Sequence, residues 1–312
     1  MYINNVTIIG MGALGTLFGT RLQEAIGQEN VAFLMDEERY NKNSKCNYLV
    51  NDEPVDFRII TPSMAEPADL IIVSTKATGL EAALETMESS VGPDTIIISA
   101  INGIRSEEIL AEKFGADHVI HAVAQGMDAT FFEYELRFSQ PGVICLGIVD
   151  PAMQDKLDTL TDFFEGIGFP YRVEEDILHR MWGKFMLNVG INQSCMVFET
   201  NYAGSTTPGS EAMMTMVSAM REAMLVANAE GINLTEADLA DYVELMRSLT
   251  PTSMPSMAQD RINMKNSEVE EFAGTVIRLA WKHDILVPTN EFLYKRIREI
   301  EAEYPQNEVK PE

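Results

Sequence analysis

Three polar side chains recur every four residues along an otherwise apolar run, Arg180-Met-Trp-Gly-Lys-Phe-Met-Leu-Asn-Val-Gly-Ile-Asn192: they are Lys184, Asn188 and Asn192. At about 100° per residue, four residues advance about 40° past a full turn, so on a helix the three form one slowly drifting stripe. A positioned ammonium can stabilise and protonate an oxygen on which negative charge develops. A lysine and two asparagines amid so much apolar surface are costly to bury unless they have partners. The alternative is a solvent-facing stripe on an amphipathic helix; few other residues of this run could cover an exposed face, which favours the buried arrangement. A second polar cluster follows in Pro255-Ser-Met-Ala-Gln-Asp260 and Lys265-Asn-Ser-Glu-Val-Glu-Glu271. Ser256, after a proline, suits a helix N-cap. Ser267 with Glu270 suits a capping box. Glu268 has no capping role and remains available for chemistry.

Near the start, Gly10-Met-Gly-Ala-Leu-Gly15 spells G-x-G-x-x-G between an apolar run, Val6–Ile9, and a helical pattern over Ala13–Ile26 carried by Leu14, Leu17, Phe18 and Leu22. Glycines also serve ordinary turns, but a strand before and a helix after are the context that a dinucleotide site requires. Gly10 permits the tight turn and Gly12 lets the backbone approach a pyrophosphate. Gly15 lets the helix pack on the strand, so that the amides around Ala13 and Leu14 face the phosphates. Asp36 stands about 20 residues beyond, at the end of the next apolar run, where a carboxylate accepts from both ribose hydroxyls and repels a 2′-phosphate, favouring NADH. Arg39 has two readings, a partner for such a phosphate or a solvated surface arginine.

The elements that must hold these residues alternate. Apolar runs at Val6–Ile9, Val31–Met35, Leu70–Val73, Thr95–Ile98 and Val119–Ile120 read as strands, with helical stretches around Leu80–Met87 and Glu107–Lys113. The charged run Asp36-Glu-Glu-Arg39 closes the second strand. The alternation predicts an α/β domain of Rossmann type, a parallel doubly wound sheet. Phe131–Phe138 and Val143–Ile148 flank Gln140-Pro-Gly142, which predicts an antiparallel hairpin extending that sheet. After Tyr171-Arg-Val173 the pattern is long helices with breaks near Tyr202–Gly209, Thr250–Pro255 and Pro288. The expected division is therefore a dinucleotide-binding domain over 1–174 and an all-α substrate and catalytic domain over 175–312, with the active site in the cleft between them and a frayed tail from Tyr304.

Net charge is −25, with 23 Lys and Arg against 48 Asp and Glu. Such a surface repels phosphate backbones and anionic lipid, which argues against nucleic-acid and membrane partners. An anionic substrate must then be held by a local pocket working against the overall field. Cys46, Cys145 and Cys195 are too scattered for a disulfide framework or a zinc site, so no metal is expected. No apolar stretch approaches the roughly 20 residues of a membrane span, and the first residues read as a strand rather than a signal peptide. A soluble, cytoplasmic protein is expected.

Taken together these segments resemble the ketopantoate reductase (2-dehydropantoate 2-reductase) family over nearly the whole chain. The resemblance rests on Gly10 to Gly15, Lys76, Asn102-Gly103 with Glu108, the Trp182…Lys184…Asn188…Asn192 helix and Ser256-Met-Ala-Gln-Asp260…Ser267-Glu268. It implies hydride transfer from NAD(P)H, by family habit NADPH, to the 2-keto group of a small anionic 2-oxo acid, ketopantoate, giving pantoate for pantothenate and coenzyme A biosynthesis. It further implies that Lys184 is the general acid and Glu268 the partner that orients substrate and lysine. Asn188, Asn192 and Ser256 would then be substrate ligands, and Lys76 and Asn102 residues flanking nicotinamide and ribose. A homodimer is left open. This chain departs from the family in having Ser267-Glu-Val-Glu270 for Thr-Glu-Ile-Asp, Ala273 for an asparagine, Gln193 for a proline, and Asp36 where many members carry a basic residue. A related reductase of another 2-oxo acid and a non-catalytic dinucleotide sensor are the competing readings.

Overall fold

The structure, a computed structural model, describes residues 2–305; most of the tail expected to fray lies outside them. The chain divides into two compact units, one ending at Ile177 and the other beginning at Leu178.

The first unit contains strands β1 (Val6–Ile9), β2 (Val31–Leu34), β3 (Tyr48–Val50), β4 (Glu53–Val55), β5 (Arg58–Ile60), β6 (Leu70–Val73), β7 (Ile96–Ser99), β8 (Val119–Met127), β9 (Thr130–Phe132), β10 (Glu135–Arg137), β11 (Pro141–Gly147) and β12 (Tyr171–Val173). Its helices are α1 (Ala13–Ile26), α2 (Glu37–Asn43), α3 (Leu80–Met87), α4 (Ser106–Phe114) and α5 (Gln154–Gly166). The main sheet has the order β12-β11-β8-β7-β6-β1-β2-β5, and its segment from β5 to β8 is parallel throughout. Every residue of β1, β2, β6 and β7 is buried, as expected for strands covered on both faces. Alternation sends Val6, Ile8, Leu70, Ile72, Ile96 and Ile98 into one core with Leu17, Phe18 and Leu22 of α1. It sends Ile9, Ile71, Val73 and Ile97 into the other, with residues of α3 and α4. The strand order runs outward from β1 to β2 and β5 on one side, then from β6 to β8 on the other. The reversal lies between β1 and β6, and ligands of open α/β sheets bind outside the strand ends at such a point.

The antiparallel extension exists, but the strand expected at Phe131–Phe138 is not the partner of β11. That partner is β8, with Ile144 opposite Ala124 and Leu146 opposite Ala122. Two alanines in its middle weaken the strand signal of β8. Phe131–Phe138 instead folds on itself as β9 and β10, reversing at Glu133 and Tyr134 with φ of 47° and 68°. This hairpin joins β3 and β4 in a separate four-stranded sheet. Pro141-Gly142 therefore opens a strand rather than forming the tip of a turn.

The second unit is helical: α6 (Ile177–Val197), α7 (Tyr202–Thr206), α8 (Glu211–Ala229), α9 (Glu236–Ser248), α10 (Ser256–Ile262), α11 (Thr275–Lys282) and α12 (Pro288–Ala302). The helix expected around Arg180–Asn192 is the middle of α6. The break expected at Tyr202–Gly209 contains the short α7, and Pro288 opens α12, where its missing N–H costs nothing. α6 is packed closely enough that a Cβ on Gly183 would lie 2.5 Å from Tyr242 Oη, and one on Gly190 2.5 Å from Met220 Cγ. No helix of the described residues is long and apolar enough to cross a membrane.

Candidate functional site

In the first unit the three motif glycines have three different reasons to be glycine. Gly10 has φ +102°, and a Cβ there would lie 2.7 Å from the backbone nitrogen of Thr75. Gly15 lies against Gly10 itself; a Cβ on it would overlap the Gly10 carbonyl and come 2.5 Å from Ser74 Oγ. Gly12 is different, because a Cβ there would meet nothing within 4 Å. Its side of the loop is open space next to the first turn of α1. That turn has no side-chain cap among the described residues and no acidic residue, so its amides and the positive end of the helix dipole are available to an anion. Ala13 and Leu14 begin this turn, half-buried. The loop suits a diphosphate backed onto bare backbone.

Ser74, which the sequence reading did not single out, holds the loop from the neighbouring strand. Its backbone N–H donates to Ile9 O at 2.8 Å, and its hydroxyl donates to Ile9 O at 3.1 Å and Gly10 O at 3.0 Å. Its position immediately after β6, at the strand reversal, is the only hint the sequence offers. Lys76 follows two residues later, exposed. Asn102 and Gly103 lie half-buried in the turn between β7 and α4, and Glu108 is exposed on α4. The buried acid of that helix is its neighbour Glu107, 4% exposed, which accepts from Ser106 Oγ at 2.8 Å, while the Ser99 hydroxyl is hydrogen-bonded to that of Ser106 at 2.9 Å.

Asp36 stands two residues past β2, which pairs with β1. The charged run after it is the helix α2, and Asp36 is its N-cap, accepting from Arg39 N at 2.8 Å. Arg39 Nε lies 3.5 Å from the other carboxylate oxygen, and both side chains are largely in water. The carboxylate thus has a structural duty in addition to any it has toward a ribose, and Arg39 is already at its side.

In the second unit the polar stripe is not a solvent face. Asn188 is 9% and Asn192 4% exposed, and Lys184, one turn earlier, is half-buried. Asn192 Nδ2 donates to Asn188 Oδ1 at 3.3 Å, and Asn192 Oδ1 accepts from Ser256 Oγ at 3.0 Å and from Met257 N at 3.2 Å. Ser256 is therefore the first residue of α10 rather than its N-cap. Pro255 occupies the cap position with no side chain to offer, and Asn192 supplies the missing acceptor from another helix. Further along the same pair of helices, Arg261 Nη1 donates to the carbonyl of Met196 at 2.5 Å, near the C-terminal end of α6, and Arg261 Nη2 pairs with Glu199 at 2.6 Å. α10 is tied to α6 at two points.

The capping box expected at Ser267 and Glu270 is absent. Ser267 donates through both its N–H, at 2.8 Å, and its hydroxyl, at 2.7 Å, to Glu301 Oε1 on α12. Glu270 accepts from Tyr294 Oη at 2.5 Å. The residues that follow, Glu270–Gly274, wind as a π-helical turn, a rare geometry that is frequent at functional sites. Glu268 sits just before it, 8% exposed, its carbonyl accepting from the amides of Glu271 and Phe272. A carboxylate so buried is costly unless it is engaged. Gln193, where the family commonly has proline, is fully buried and donates to Val189 O at 2.7 Å and Asn290 Oδ1 at 3.4 Å.

A parallel-sheet unit with an open glycine loop at its strand reversal, and a helical unit carrying a half-buried lysine beside two buried asparagines, define a two-part dehydrogenase-type architecture. The chain belongs to the ketopantoate reductase family: residues 6–149 match the family model Ketopantoate reductase PanE/ApbA, and residues 176–301 match Ketopantoate reductase PanE/ApbA C terminal. Curated relatives named 2-dehydropantoate 2-reductase include one from Vibrio cholerae, 25% identical with 96% of this chain and 99% of the relative covered. Another, from Streptococcus pyogenes serotype M6, is 24% identical with 95% and 98% covered. Among solved structures, the ternary structure of D-mandelate dehydrogenase with NADH and anilino(oxo)acetate superposes with a TM-score of 0.84 at 23% identity, covering 96% of this chain and 98% of that one. Dimeric ketopantoate reductase from Staphylococcus aureus gives 0.79 at 21% identity, with 96% and 99% covered.

Proposed function

We propose that this protein reduces the 2-keto group of ketopantoate, giving pantoate, with a reduced nicotinamide dinucleotide as hydride donor. The observation that carries the reading is the buried stripe. Lys184 shares a helix face with two asparagines that are withdrawn from solvent and tied to Ser256, an arrangement that a merely solvated stripe would not need. The family membership and the names of the full-length relatives support the same reaction.

The first unit binds the dinucleotide through Gly10, Gly12, Ala13, Leu14 and Gly15, with Lys76 and Asn102 at its nicotinamide and ribose portion. The reduced nicotinamide, when bound, supplies the hydride. As the keto carbon is reduced, negative charge grows on its oxygen; the Lys184 ammonium stabilises that charge and delivers a proton to the same oxygen. Glu268 orients the ammonium and the substrate, and the asparagines and Ser256 fix the rest of the acid. Asp36 favours the unphosphorylated ribose, so NADH is the preferred donor in this reading.

A second reading, reduction of a different 2-oxo acid, is favoured by Asp36 together with the likeness to D-mandelate dehydrogenase crystallised with NADH. The test is loss of reduced-nicotinamide absorbance with each donor and a panel of 2-oxo acids. Turnover fastest with ketopantoate is the expected result. Turnover confined to other 2-oxo acids would replace it with the second reading, and dinucleotide binding with no turnover would leave a sensor.

A further inference from the structure

Glu268 stands in a stretch that no regular element holds. α10 ends at Ile262, the π-helical turn begins at Glu270, and the residues between them belong to neither. A side chain on a helix inherits its place from the backbone ladder; here the place must come from tertiary bonds. They come from both sides of Glu268 and from one helix. On the N-terminal side Ser267 is buried, and its N–H and hydroxyl both end on Glu301 Oε1, at 2.8 and 2.7 Å. On the C-terminal side Glu270 Oε1 accepts from Tyr294 Oη at 2.5 Å. Tyr294 and Glu301 lie seven positions apart on α12, which puts them on one face, and Ile297 between them is fully buried. A Cβ on Gly274 would lie 2.9 Å from Glu270 Oε2 and 3.7 Å from Tyr294 Cε2, so the π-helical turn closes down on the second pair. Glu301 does little for α12 itself. It sits in the last turn, where the helix dipole disfavours a carboxylate and no basic residue compensates. Its side chain is nevertheless only 5% exposed, with Arg298 Nη1 3.2 Å from its second oxygen. What the position gains is Ser267.

We infer that Glu301 is a positioning residue for Glu268, with Tyr294 as a weaker second grip: α12 is a splint that holds the chain on either side of that carboxylate and sets where it stands. The inference rests on the reading of Glu268 as the group that orients ammonium and substrate. Glu301 and Tyr294 act only through the backbone around Glu268, whose carbonyl in turn accepts from the amides of Glu271 and Phe272 at 3.0 and 3.2 Å. Glu301 is the stronger grip because it takes two hydrogen bonds on a buried carboxylate, whereas Glu270 is exposed. Loosening the splint displaces a group that acts in the chemistry, so it lowers kcat and leaves the dinucleotide site alone.

The experiment compares Glu301→Ala, which removes both acceptances, with Glu301→Gln, which keeps an oxygen able to accept both. Glu301→Ala should lower kcat with ketopantoate about 10- to 100-fold, the scale of a small misplacement of an acting group, at unchanged dinucleotide Kd. Glu301→Gln should stay within about threefold of the native kcat. Tyr294→Phe should cost about threefold. Once Glu268→Ala is present, neither Glu301→Ala nor Tyr294→Phe should lower kcat further, because both act through Glu268. A native kcat in Glu301→Ala, a loss in Glu301→Gln as large as in Glu301→Ala, or full losses persisting in the Glu268→Ala background would each overturn the splint. Thermal melts and dinucleotide affinity verify that each variant is folded. If Glu301→Ala is not, Ser267→Ala, which removes only the hydroxyl half of the grip, takes its place in the same comparison. If the native protein reduces no 2-oxo acid, the catalytic reading of Glu268 falls and the splint is read by hydrogen exchange. The amides of Glu271 and Phe272 should then exchange about tenfold faster in Glu301→Ala and at the native rate in Glu301→Gln; unchanged exchange in Glu301→Ala would overturn it.

Discussion

The glycine loop and the polar stripe, the two regions proposed to meet a ligand, are built from opposite materials. The loop works by lacking side chains: Gly12 leaves open space beside the first amides of α1, and Gly10 and Gly15 let two stretches of backbone touch. The stripe is built from side chains in a fixed order, its two asparagines joined to each other and to Ser256 by hydrogen bonds. In the loop, damage should come from added atoms. In the stripe it should come from removed or rewired ones.

The largest expected effect is in the loop. Gly15→Ala drives a methyl group into the carbonyl of Gly10 and against Ser74 Oγ, so strand and helix must part. It should lower Tm by more than about 5 °C and abolish dinucleotide binding together. Thermal melts with and without cofactor measure both; binding retained at native affinity would show that the loop yields cheaply. Next comes the stripe. Lys184→Ala should lower kcat by about 10²–10⁴-fold with dinucleotide affinity unchanged, and near-native kcat would remove Lys184 from the chemistry. Gly12→Ala, unlike Gly15→Ala, meets no protein atom. Tm should stay within about 1 °C while the dinucleotide Kd rises about tenfold, because only a bound diphosphate would feel the methyl group. A fall in Tm equal to that of Gly15→Ala would erase the distinction between the two glycines.

The same contrast explains what could be read from the sequence. Backbone-built features leave composition marks. Largely apolar runs announced β1, β2, β6 and β7, and the glycine spacing announced the loop, because each reflects a local steric demand. The stripe was visible as spacing along one helix, but its meaning depended on resemblance, since Asn192 and Ser256 are 64 residues apart. Ser74 left no mark beyond its place after β6, because a serine hydroxyl bonding across 65 residues to a carbonyl has no sequence signature. For the same reason Ser267 looked like half of a capping box. Its real partner, Glu301, lies 34 residues away, and a local rule was outcompeted by a tertiary contact. The hairpin partner was misassigned because alanines in β8 hid a strand that the aromatic run Phe131–Phe138 seemed to supply.

Asp36 belongs to both materials, as a side chain that caps a helix and stands beside the loop. Asp36→Arg should shift the ratio of kcat/KM for NADH over NADPH toward NADPH, and it should also destabilise α2 by about 1 kcal/mol through loss of the cap. Comparison with Asp36→Asn, which keeps a capping oxygen, separates the two. An unchanged cofactor ratio in Asp36→Arg would show that this position does not read the ribose.

The smallest effect is expected at a group that belongs to neither the loop nor the stripe. Glu230, just past α8, accepts from Lys282 Nζ at 2.9 Å and His283 Nε2 at 2.5 Å. Partial burial pulls its pKa upward, but hydrogen bonds and charge from Lys282 and His283 outweigh that and hold it below the ordinary 4.5. A carboxyl whose folded pKa is depressed contributes stability that is fully present above its unfolded pKa and disappears as pH falls through the folded value. Glu230→Gln should therefore lower Tm by about 1–3 °C at pH 7. The gap to the native protein should narrow below pH 4.5 and close once the native carboxyl is protonated. Kinetic constants should be untouched, since the pair fastens α8 to α11 and takes no part in the stripe or the loop. A Tm gap that stays constant down to pH 3 would mean that the glutamine disturbs packing rather than charge.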